Sequence, residues 1–342
     1  MRVLVSGGAG YVGSVSVERL LETGHDVVVL DDLSTGHRAA AGDARLVIGT
    51  YADGLAVTAL LERERIEAIL HCAARSLVAE SMIDPAKYYR ENVAGGIALL
   101  EAARAVGVRR FVFSSTAAVY GIPAATPIPE DAALEPINPY GETKRSFEGA
   151  LGWYGRAYGL RSVALRYFNV AGASERNGEQ HRPETHLLPN VLAAAESGRP
   201  LSIMGTDYPT PDGTNVRDFI HVADLADAHL AALDATAPDD PRTDDAEAPG
   251  EAGRGRALTL NLGSATGFSV REVIAAAERV VGRPIAAQPG PRRPGDPPIL
   301  VAANARAGVV LGWRPRRGSL DEIIGSAWSW RRRHPDGYRE PS

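Results

Sequence analysis

The sequence predicts an α/β fold: a doubly wound parallel sheet followed by a smaller C-terminal α/β lobe. Three observations predict it. The chain opens as strand, glycine turn, helix, strand and acid. Apolar strands then keep alternating with helical stretches as far as Phe168. Beyond about Ala171 that rhythm gives way to a stretch richer in Pro, Gly and polar residues. At 342 residues the chain is long enough for one large domain or two ordinary ones.

Residues 2–5 read as a short buried strand. They lead into Gly7-Gly8-Ala9-Gly10-Tyr11-Val12-Gly13 and a helix through Glu22, closed by Gly24-His25; residues 27–30 form a second strand ending at Asp31-Asp32. Such a βαβ unit suits a dinucleotide, because small residues let the backbone approach a pyrophosphate at the positive end of the helix. Gly8, Gly10 and Gly13 fit G-x-G-x-x-G, and Gly7, Gly10 and Gly13 fit the related G-x-x-G-x-x-G. Asp31 is placed to accept bonds from the adenosine ribose hydroxyls and to repel a 2′-phosphate, so NAD is expected rather than NADP. Strands at 46–48, 68–70 and 111–113 continue the alternation. His71 and Cys72 read as packing residues at a strand end, and the small Ala73 and Ala74 let a loop pass close to the cofactor. Asp84-Pro85 begins a helix that runs past Asn92 to about Val106, with apolar positions for the core or a partner subunit.

The strand at 111–113 leads into Ser114-Ser115-Thr116, and the stretch ends at Asn138-Pro139-Tyr140-Gly141-Glu142-Thr143-Lys144. Asn138 is a good N-cap and Pro139 suits the first helical position, so Tyr140 and Lys144, four residues apart, share a face of the first turns. A phenol titrates near 10, too high for a base at neutral pH; an ammonium beside it, joined by a positively charged nicotinamide, favours the phenolate. Bringing the phenol down to about 7 takes roughly 4 kcal/mol of differential interaction. Ser115 or Thr116, at the strand's carboxyl end, is placed to hold the substrate hydroxyl on which such a base acts. Tyr-x3-Lys alone is common; the strand before it and the glycine turn give it meaning.

Further on, a strand at 163–168 reaches Asn169, and 218–230 reads as a strand and helix returning to the first lobe. Residues 234–256 are acidic, Pro/Gly-rich and nearly free of apolar side chains, the composition of a flexible surface loop. Another strand is expected at 258–262, and Ser269 begins a capped helix with Glu272 three residues on. With 23% charged residues and a net charge of −5, nothing suggests a nucleic-acid or membrane-surface partner. Cys72 is the only cysteine, which excludes an internal disulfide and a cysteine-rich zinc site; no metal is assigned. No apolar run approaches membrane-spanning length, so a soluble cytoplasmic protein is the default.

Taken together, these residues resemble the UDP-glucose 4-epimerase family, within the Rossmann-type extended short-chain dehydrogenase/reductase superfamily. The resemblance spans nearly the whole chain. It is carried by the glycine turn, Phe113-Ser114-Ser115-Thr116-Ala117-Ala118-Val119-Tyr120-Gly121, Tyr140 with Lys144, and Arg166-Tyr167-Phe168-Asn169. Its more specific markers are Asp207-Tyr208-Pro209-Thr210, Arg217-Asp218-Phe219-Ile220-His221-Val222, Asn261-Leu262-Gly263 and Arg292-Arg293-Pro294-Gly295-Asp296.

The resemblance implies an enzyme that inverts C4 of a UDP-hexose through a transient 4-ketosugar, with Tyr140 as acid–base, Lys144 lowering its pKa and Thr116 positioning the sugar. Hydride would pass from C4 to NAD and return to the other face. It implies that NAD lies against Gly7, Gly10, Tyr11, Val12 and Gly13, and against Asp31, Asp32, Ser34, Thr35 and Gly36. Further along the chain Thr50, Tyr51, Cys72, Ala73, Ala74, Ser76 and Asn92 join them, with Ser114, Tyr140, Lys144 and Tyr167 at the reacting end. The UDP-sugar is assigned to Ser115, Thr116, Tyr140, Asn169, His186, Leu187, Ser202, Met204, Arg217, Arg293, Asp296 and Leu300, the two arginines being what a pyrophosphate needs. It further implies a homodimer paired through the helices near Asn92 and Tyr140. On this reading residues 1–170 form the NAD-binding domain, with 217–233 and 257–264 returning to it, and 171–216 with 265–342 form the nucleotide-sugar lobe.

The chain departs from the family pattern at Thr50, where an Asp usually meets the adenine amine, and at Ser76, where Lys is common and Arg75 stands beside it as a substitute. It departs also at His186, a common Asn, and at Leu300, often a Tyr. A 4,6-dehydratase would need an Asp-Glu pair after Thr116, and Ala117-Ala118 stands there. The remaining alternatives are an enzyme acting on UDP-glucuronate or a UDP-N-acetylhexosamine, and a dinucleotide sensor without catalysis.

Overall fold

The computed structural model describes residues 1–238, 256–293 and 296–339. The N-terminal half alternates β1 (Arg2–Ser6), α1 (Tyr11–Glu22), β2 (Asp26–Asp31), β3 (Arg45–Ile48), α2 (Gly54–Arg63) and β4 (Ala68–His71). Two short helices, α3 (Val78–Ile83) and α4 (Pro85–Tyr88), run through a wide π turn at Tyr89–Gly95 into α5 (Gly96–Val106). Then come β5 (Arg110–Thr116), α6 (Pro139–Tyr158) and β6 (Arg161–Tyr167). The later elements are β7 (Asn169–Ala171), α7 (Leu187–Ser197), β8 (Leu201–Met204), β9 (Val216–His221), α8 (Val222–Ala235) and β10 (Ala257–Leu262). They end with β11 (Gly267–Ser269), α9 (Val270–Val281), β12 (Ala287–Gly290), β13 (Ile299–Leu300), α10 (Ala305–Leu311) and α11 (Leu320–Arg333).

Seven strands form one parallel sheet in the order β10-β6-β5-β4-β1-β2-β3. Both of its faces are covered, which is why its strands read as continuous apolar runs. Alternation along β1 shows the two layers: Val3 and Val5 face a core with Leu225, Ala228 and Leu233 of α8, and Leu4 faces one with Leu60, Leu99 and Phe147 of α2, α5 and α6. The strand order reverses at β1, which has β2 on one side and β4 on the other, so a crevice opens beyond the carboxyl ends of these strands.

Beyond β6 the chain builds a second, smaller region. There β9 pairs with β7, β11 and β13, β8 pairs with β12, and a separate core gathers Val191, Phe219, Ile274 and Ile324. The capping box foreseen at the start of α9 is present, Ser269 and Glu272 each accepting from the other's amide. The return to the large sheet begins with α8 rather than at Arg217, since β9 stays in the small sheet; β10 then pairs with β6 along its length. Of the flexible loop expected at 234–256, residues 239–255 lie outside the described residues, while α8 carries helical structure as far as Ala235.

Helix α6 starts as its sequence dictates, with Asn138 Oδ1 accepting from the Gly141 amide at 2.9 Å and Pro139 in the first turn. Gly141 has a second duty: a Cβ there would lie 2.5 Å from the Ala118 carbonyl oxygen. Only a bare backbone lets the start of α6 press against the turn that follows β5. That contact brings Tyr140 to Thr116.

Candidate active site

A single cleft of about 1940 Å³ runs along the carboxyl ends of the large sheet and under the smaller region. Single-ligand pockets reach roughly 1,000 Å³, so this one has room for two large molecules end to end.

One half is lined by Gly7, Gly10, Tyr11, Val12 and Gly13, by Asp31, Asp32, Ser34 and Thr35, and by Thr50, Tyr51, Cys72, Ala73, Ala74 and Ser76. The glycines are spatially required. A Cβ on Gly13 would sit 2.0 Å from the Gly7 carbonyl oxygen, and one on Gly7, whose φ is +75°, 2.5 Å from the Ala73 nitrogen. Helix α1 begins here with no capping side chain and no acid in its first turn, so its leading amides stay available to an anion. Asp31 accepts from the amides of Ala9 at 3.0 Å and Leu33 at 2.9 Å; burial nevertheless raises its carboxyl above the ordinary value. A small-residue cradle, a helix N-terminus and a carboxylate at the end of β2 form a set of groups that fits a dinucleotide.

The neighbours of this half refine the reading. Arg75, expected to stand in for a lysine near the cofactor, is engaged: its guanidinium bonds Glu91 and Ser34 and lies 3.9 Å from Asp32. Thr50 Oγ1 accepts from the Ala52 amide at 3.2 Å, and the Tyr51 hydroxyl donates to the Glu91 carbonyl. His71 is buried against Phe113 and bonded to Ser6 Oγ at 2.6 Å; burial drives its pKa to about 3, which fits packing rather than catalysis. Burial likewise pushes the Cys72 thiol to about 11.

At the middle of the cleft stand Thr116, Tyr140, Lys144 and Tyr167. The Lys144 ammonium is buried, donates to the Ser114 carbonyl at 2.8 Å, and lies 4.7 Å above the Phe113 ring and 6.0 Å from the Tyr140 ring centre. Burial lowers it to about 8, which still leaves it mostly charged at neutral pH. The expected lowering of the Tyr140 phenol is not present in the protein alone. Burial raises it, and a hydrogen bond with Thr116 only partly opposes this.

The other half is lined by Asn169, His186, Leu187, Ser202, Met204, Arg217, Arg293, Asp296 and Leu300. Arg217 is held before any ligand arrives: its guanidinium donates to Asp296 Oδ1 at 2.5 Å and to the Pro297 carbonyl at 2.8 Å, and Asn215 donates to Asp296 Oδ2 at 2.8 Å. Asn169 donates to the Asp218 carbonyl at 3.1 Å. Leu300 packs with Val119, Tyr120, Ile128 and Phe168. His186 Nδ1 lies 2.9 Å from both Glu179 Oε1 and Glu184 Oε1, with His181 beside it. Burial disfavours charge on each ring, but the two carboxylates outweigh it and raise His181 to about 9 and His186 to about 10.

Four residues assigned to ligand contacts do not line the cleft. Ser115 points from the opposite face of β5 to Ser114 and Thr116, and its hydroxyl donates to Glu148 at 2.5 Å. Of the two hydroxyl residues Ser115 and Thr116, only Thr116 lines the cleft. Ser114 turns its hydroxyl to Cys72 and His229, and only its carbonyl meets Lys144. Asn92 braces the loop behind the cleft through Arg75 and Thr143, and Gly36 allows close packing against Ala9 and Asp31. Sequence reasoning missed Glu179, His181, Asn215, Phe168 and Phe219, which also line the cleft. The spacing Glu-x-His-x-x-Glu-x-His over 179–186 was the available signal for the first two.

The family model described as the NAD dependent epimerase/dehydratase family matches residues 3–243. The chain is 48% identical to the UDP-glucose 4-epimerase of Lacticaseibacillus casei, with 99% of each chain covered. Among solved structures, the UDP-glucose 4-epimerase of Brucella ovis in complex with NAD is 43% identical with a TM-score of 0.88, covering 96% of this chain and 97% of that one. The UDP-Glc/GlcNAc 4-epimerase of Campylobacter jejuni is 37% identical with a TM-score of 0.80, covering 97% and 99%.

Proposed function

Because the chain belongs to the NAD-dependent epimerase/dehydratase family, among its UDP-glucose 4-epimerases, we propose that Tyr140 is the group through which it moves the proton of the sugar C4 hydroxyl. The reaction is the NAD-dependent inversion of C4 in a UDP-hexose. The glycine cradle, the amides of α1 and Asp31 would hold NAD, which supplies, when bound, the reversible oxidation at C4 and a positive charge beside the phenol.

That charge matters because burial works against the phenolate. The Lys144 ammonium, fixed on the Ser114 carbonyl, is the chain's own contribution to the same end. With its proton gone, the Tyr140 phenolate accepts the C4 hydroxyl proton, and it returns a proton once the 4-ketosugar has turned over. Thr116 holds the sugar against Tyr140. Arg217, already aimed by Asp296 and Pro297, and Asn169 anchor the nucleotide diphosphate, so the sugar turns about a fixed end. The observation that carries this reading is the convergence of Tyr140, Thr116 and Lys144 between the cradle and the arginine wall of one cleft. The test is incubation with a panel of UDP-sugars and chromatography of the products. Interconversion of UDP-glucose and UDP-galactose is expected; inactivity on both would overturn it.

A second reading concerns breadth. Leu300 makes the sugar wall apolar where a tyrosine would narrow it and add a hydroxyl. UDP-GlcNAc and UDP-GalNAc should then interconvert more slowly than the glucose pair, and Leu300→Tyr should suppress that activity selectively. No turnover of the N-acetylated pair by the unmodified protein would sink this reading.

We also propose a cytoplasmic homodimer and the two-lobe division given above. The dimer reading is supported by exposed Met82, Ile83, Tyr89 and Trp153 on α3, the π turn and α6, segments that pack around one another. The division is supported by the separate cores of the two regions and by the return of α8 and β10 to the large sheet. No described helix is long and apolar enough to cross a membrane. Light scattering after gel filtration measures the oligomeric state, and a monomeric mass would remove the dimer reading.

A further inference from the structure

The segment between β7 and α7 carries a group of side chains that the reaction does not use as a unit. Glu179, His181, Glu184 and His186 each offer one ligand atom, and these atoms all lie within 4.8 Å of one another. His186 Nδ1 is 2.9 Å from one oxygen of each glutamate, and His181 Nδ1 is 3.3 Å from Glu179 Oε1 and 3.7 Å from Glu184 Oε2. A tetrahedral zinc ion with ligands at about 2.0–2.1 Å sets those ligands roughly 3.4 Å apart. The spacings straddle that value, so small side-chain rotations would close the shell.

Two further observations set this group apart from a chance gathering of charges. His181 Nδ1 is buried and makes no hydrogen bond, although it faces both carboxylates. A buried ring nitrogen that stands between two carboxylates within ion-pair distance, without hydrogen-bond geometry to either, is uncommon and calls for an explanation. The backbone that carries the ligands is also fixed from outside the group. Tyr338 donates its amide to Gln180 Oε1 at 2.7 Å, and its hydroxyl accepts from the Gly178 amide at 3.0 Å. The ring of His181 lies edge-on to Tyr11, 6.4 Å between centres, and Tyr11 is tied by its hydroxyl to the Gly172 carbonyl. The ligands are thus held in place by the chain's C-terminal part and by the glycine turn, as a metal site requires.

We propose that Glu179, His181, Glu184 and His186 form a binding site for one divalent transition-metal ion of the zinc class, a clasp that fastens the 179–186 segment to the start of α7. Two imidazoles and two carboxylates make a mixed nitrogen and oxygen set that suits Zn²⁺ or Co²⁺. Mg²⁺, which seeks six oxygens and keeps its waters, is a poor match. On binding, the metal replaces the Nδ1 protons, which leave to solvent, and two carboxylates balance its charge. The clasp does not depend on which UDP-sugar the enzyme takes or on the role of Tyr140.

The test uses the full-length, untagged chain, stripped with a chelator and titrated with ZnCl₂ by calorimetry, with CoCl₂ followed by its visible absorption and MgCl₂ as the contrast. One Zn²⁺ per chain with a Kd below about 10 μM is expected, with tetrahedral Co²⁺ bands, a raised Tm and no competition from Mg²⁺. In the His181→Ala/Glu179→Gln variant the affinity should fall by at least about 100-fold, since two of four ligands are gone. Glu184→Gln, which keeps the side chain's volume, should lower it as well and guards against a folding defect in the double variant. Sub-stoichiometric binding by the unmodified chain, or Zn²⁺ affinity unchanged in either variant, would overturn the proposal.

Discussion

The two halves of the cleft treat the same residue type in opposite ways. On the large sheet's side, His71 at the end of β4 and His229 on α8 are buried among apolar and hydroxyl groups with no carboxylate partner; burial, joined at His71 by the Lys144 ammonium, pushes both down to about 3. Across the cleft, His181 and His186 sit against two glutamates and are pushed up to about 9 and about 10. The half proposed for the cofactor is built by backbone close approach and burial; the half proposed for the substrate is built by paired charges. The first needs shape and the second needs partners, so they should fail differently when disturbed.

The largest effect should come from acid, and it should strike the cofactor half. His71 and His229 have folded pKa values below the ordinary 6.5. Their contribution is therefore complete above pH 6.5 and is lost as pH falls toward 3, because the unfolded chain takes up protons that the fold refuses. Two such groups imply a loss of roughly 3 kcal/mol per pH unit between about pH 6 and 4. Urea midpoints measured across that range check it, and a flat profile would dissolve the contrast. Next, Tyr140→Phe should lower turnover by at least about a hundredfold while NAD stays bound, read by kinetics beside cofactor content. Near-normal turnover would show that the proton moves through another group.

Gly13→Ala should strike only the cofactor half. Its Cβ meets the Gly7 carbonyl oxygen at 2.0 Å, so backbone must move. NAD affinity should fall by about tenfold to a hundredfold, in line with 1–3 kcal/mol of strain, while UDP binding by calorimetry stays within about twofold. Arg217→Lys is the mirror experiment. It removes the forked geometry but keeps the charge, so KM for the UDP-sugar should rise about tenfold with NAD affinity unchanged. A change in both affinities in either variant would show the halves to be coupled. The smallest effect is expected from Thr50→Asp, which gives the adenine amine a charged acceptor worth roughly 1 kcal/mol more than a hydroxyl. The unmodified protein should carry NAD at less than full occupancy and the variant should retain more through dialysis. Stoichiometric NAD in the unmodified protein would count against this.

How much of this was legible in advance follows the same division. The glycine turn, Asp31, the cap at Asn138-Pro139 and the capping box at Ser269 and Glu272 are local patterns, and each stands where its spacing placed it. The wall proposed for the substrate joins Asn169, His186, Met204, Arg217, Asp296 and Leu300, which are remote in sequence; only resemblance to a family assembled them. Ser115 misled because its distance from Thr116 is one residue, and in a strand one residue means the opposite face. The raised phenol of Tyr140 was hidden because desolvation is a property of the packed surroundings and leaves no mark on a Tyr-x3-Lys spacing. Gly141 was read only as a residue between Tyr140 and Lys144, since its neighbour across space, Ala118, is twenty-three residues away in the chain.

The late arrival of β10 has a consequence for how the protein is made. During synthesis β6 emerges long before the strand that pairs with it, Val163 and Leu165 share a core with Leu225, Leu233 and Leu260, and β10 completes the sheet only at residues 257–262. A nascent chain that has reached residue 170 holds Tyr140 and Lys144, yet it presents an unpaired strand edge and an uncovered apolar face. The ribosome must therefore deliver some ninety more residues before the first half of the enzyme can close, which makes that interval the window in which a chaperone has most to shield.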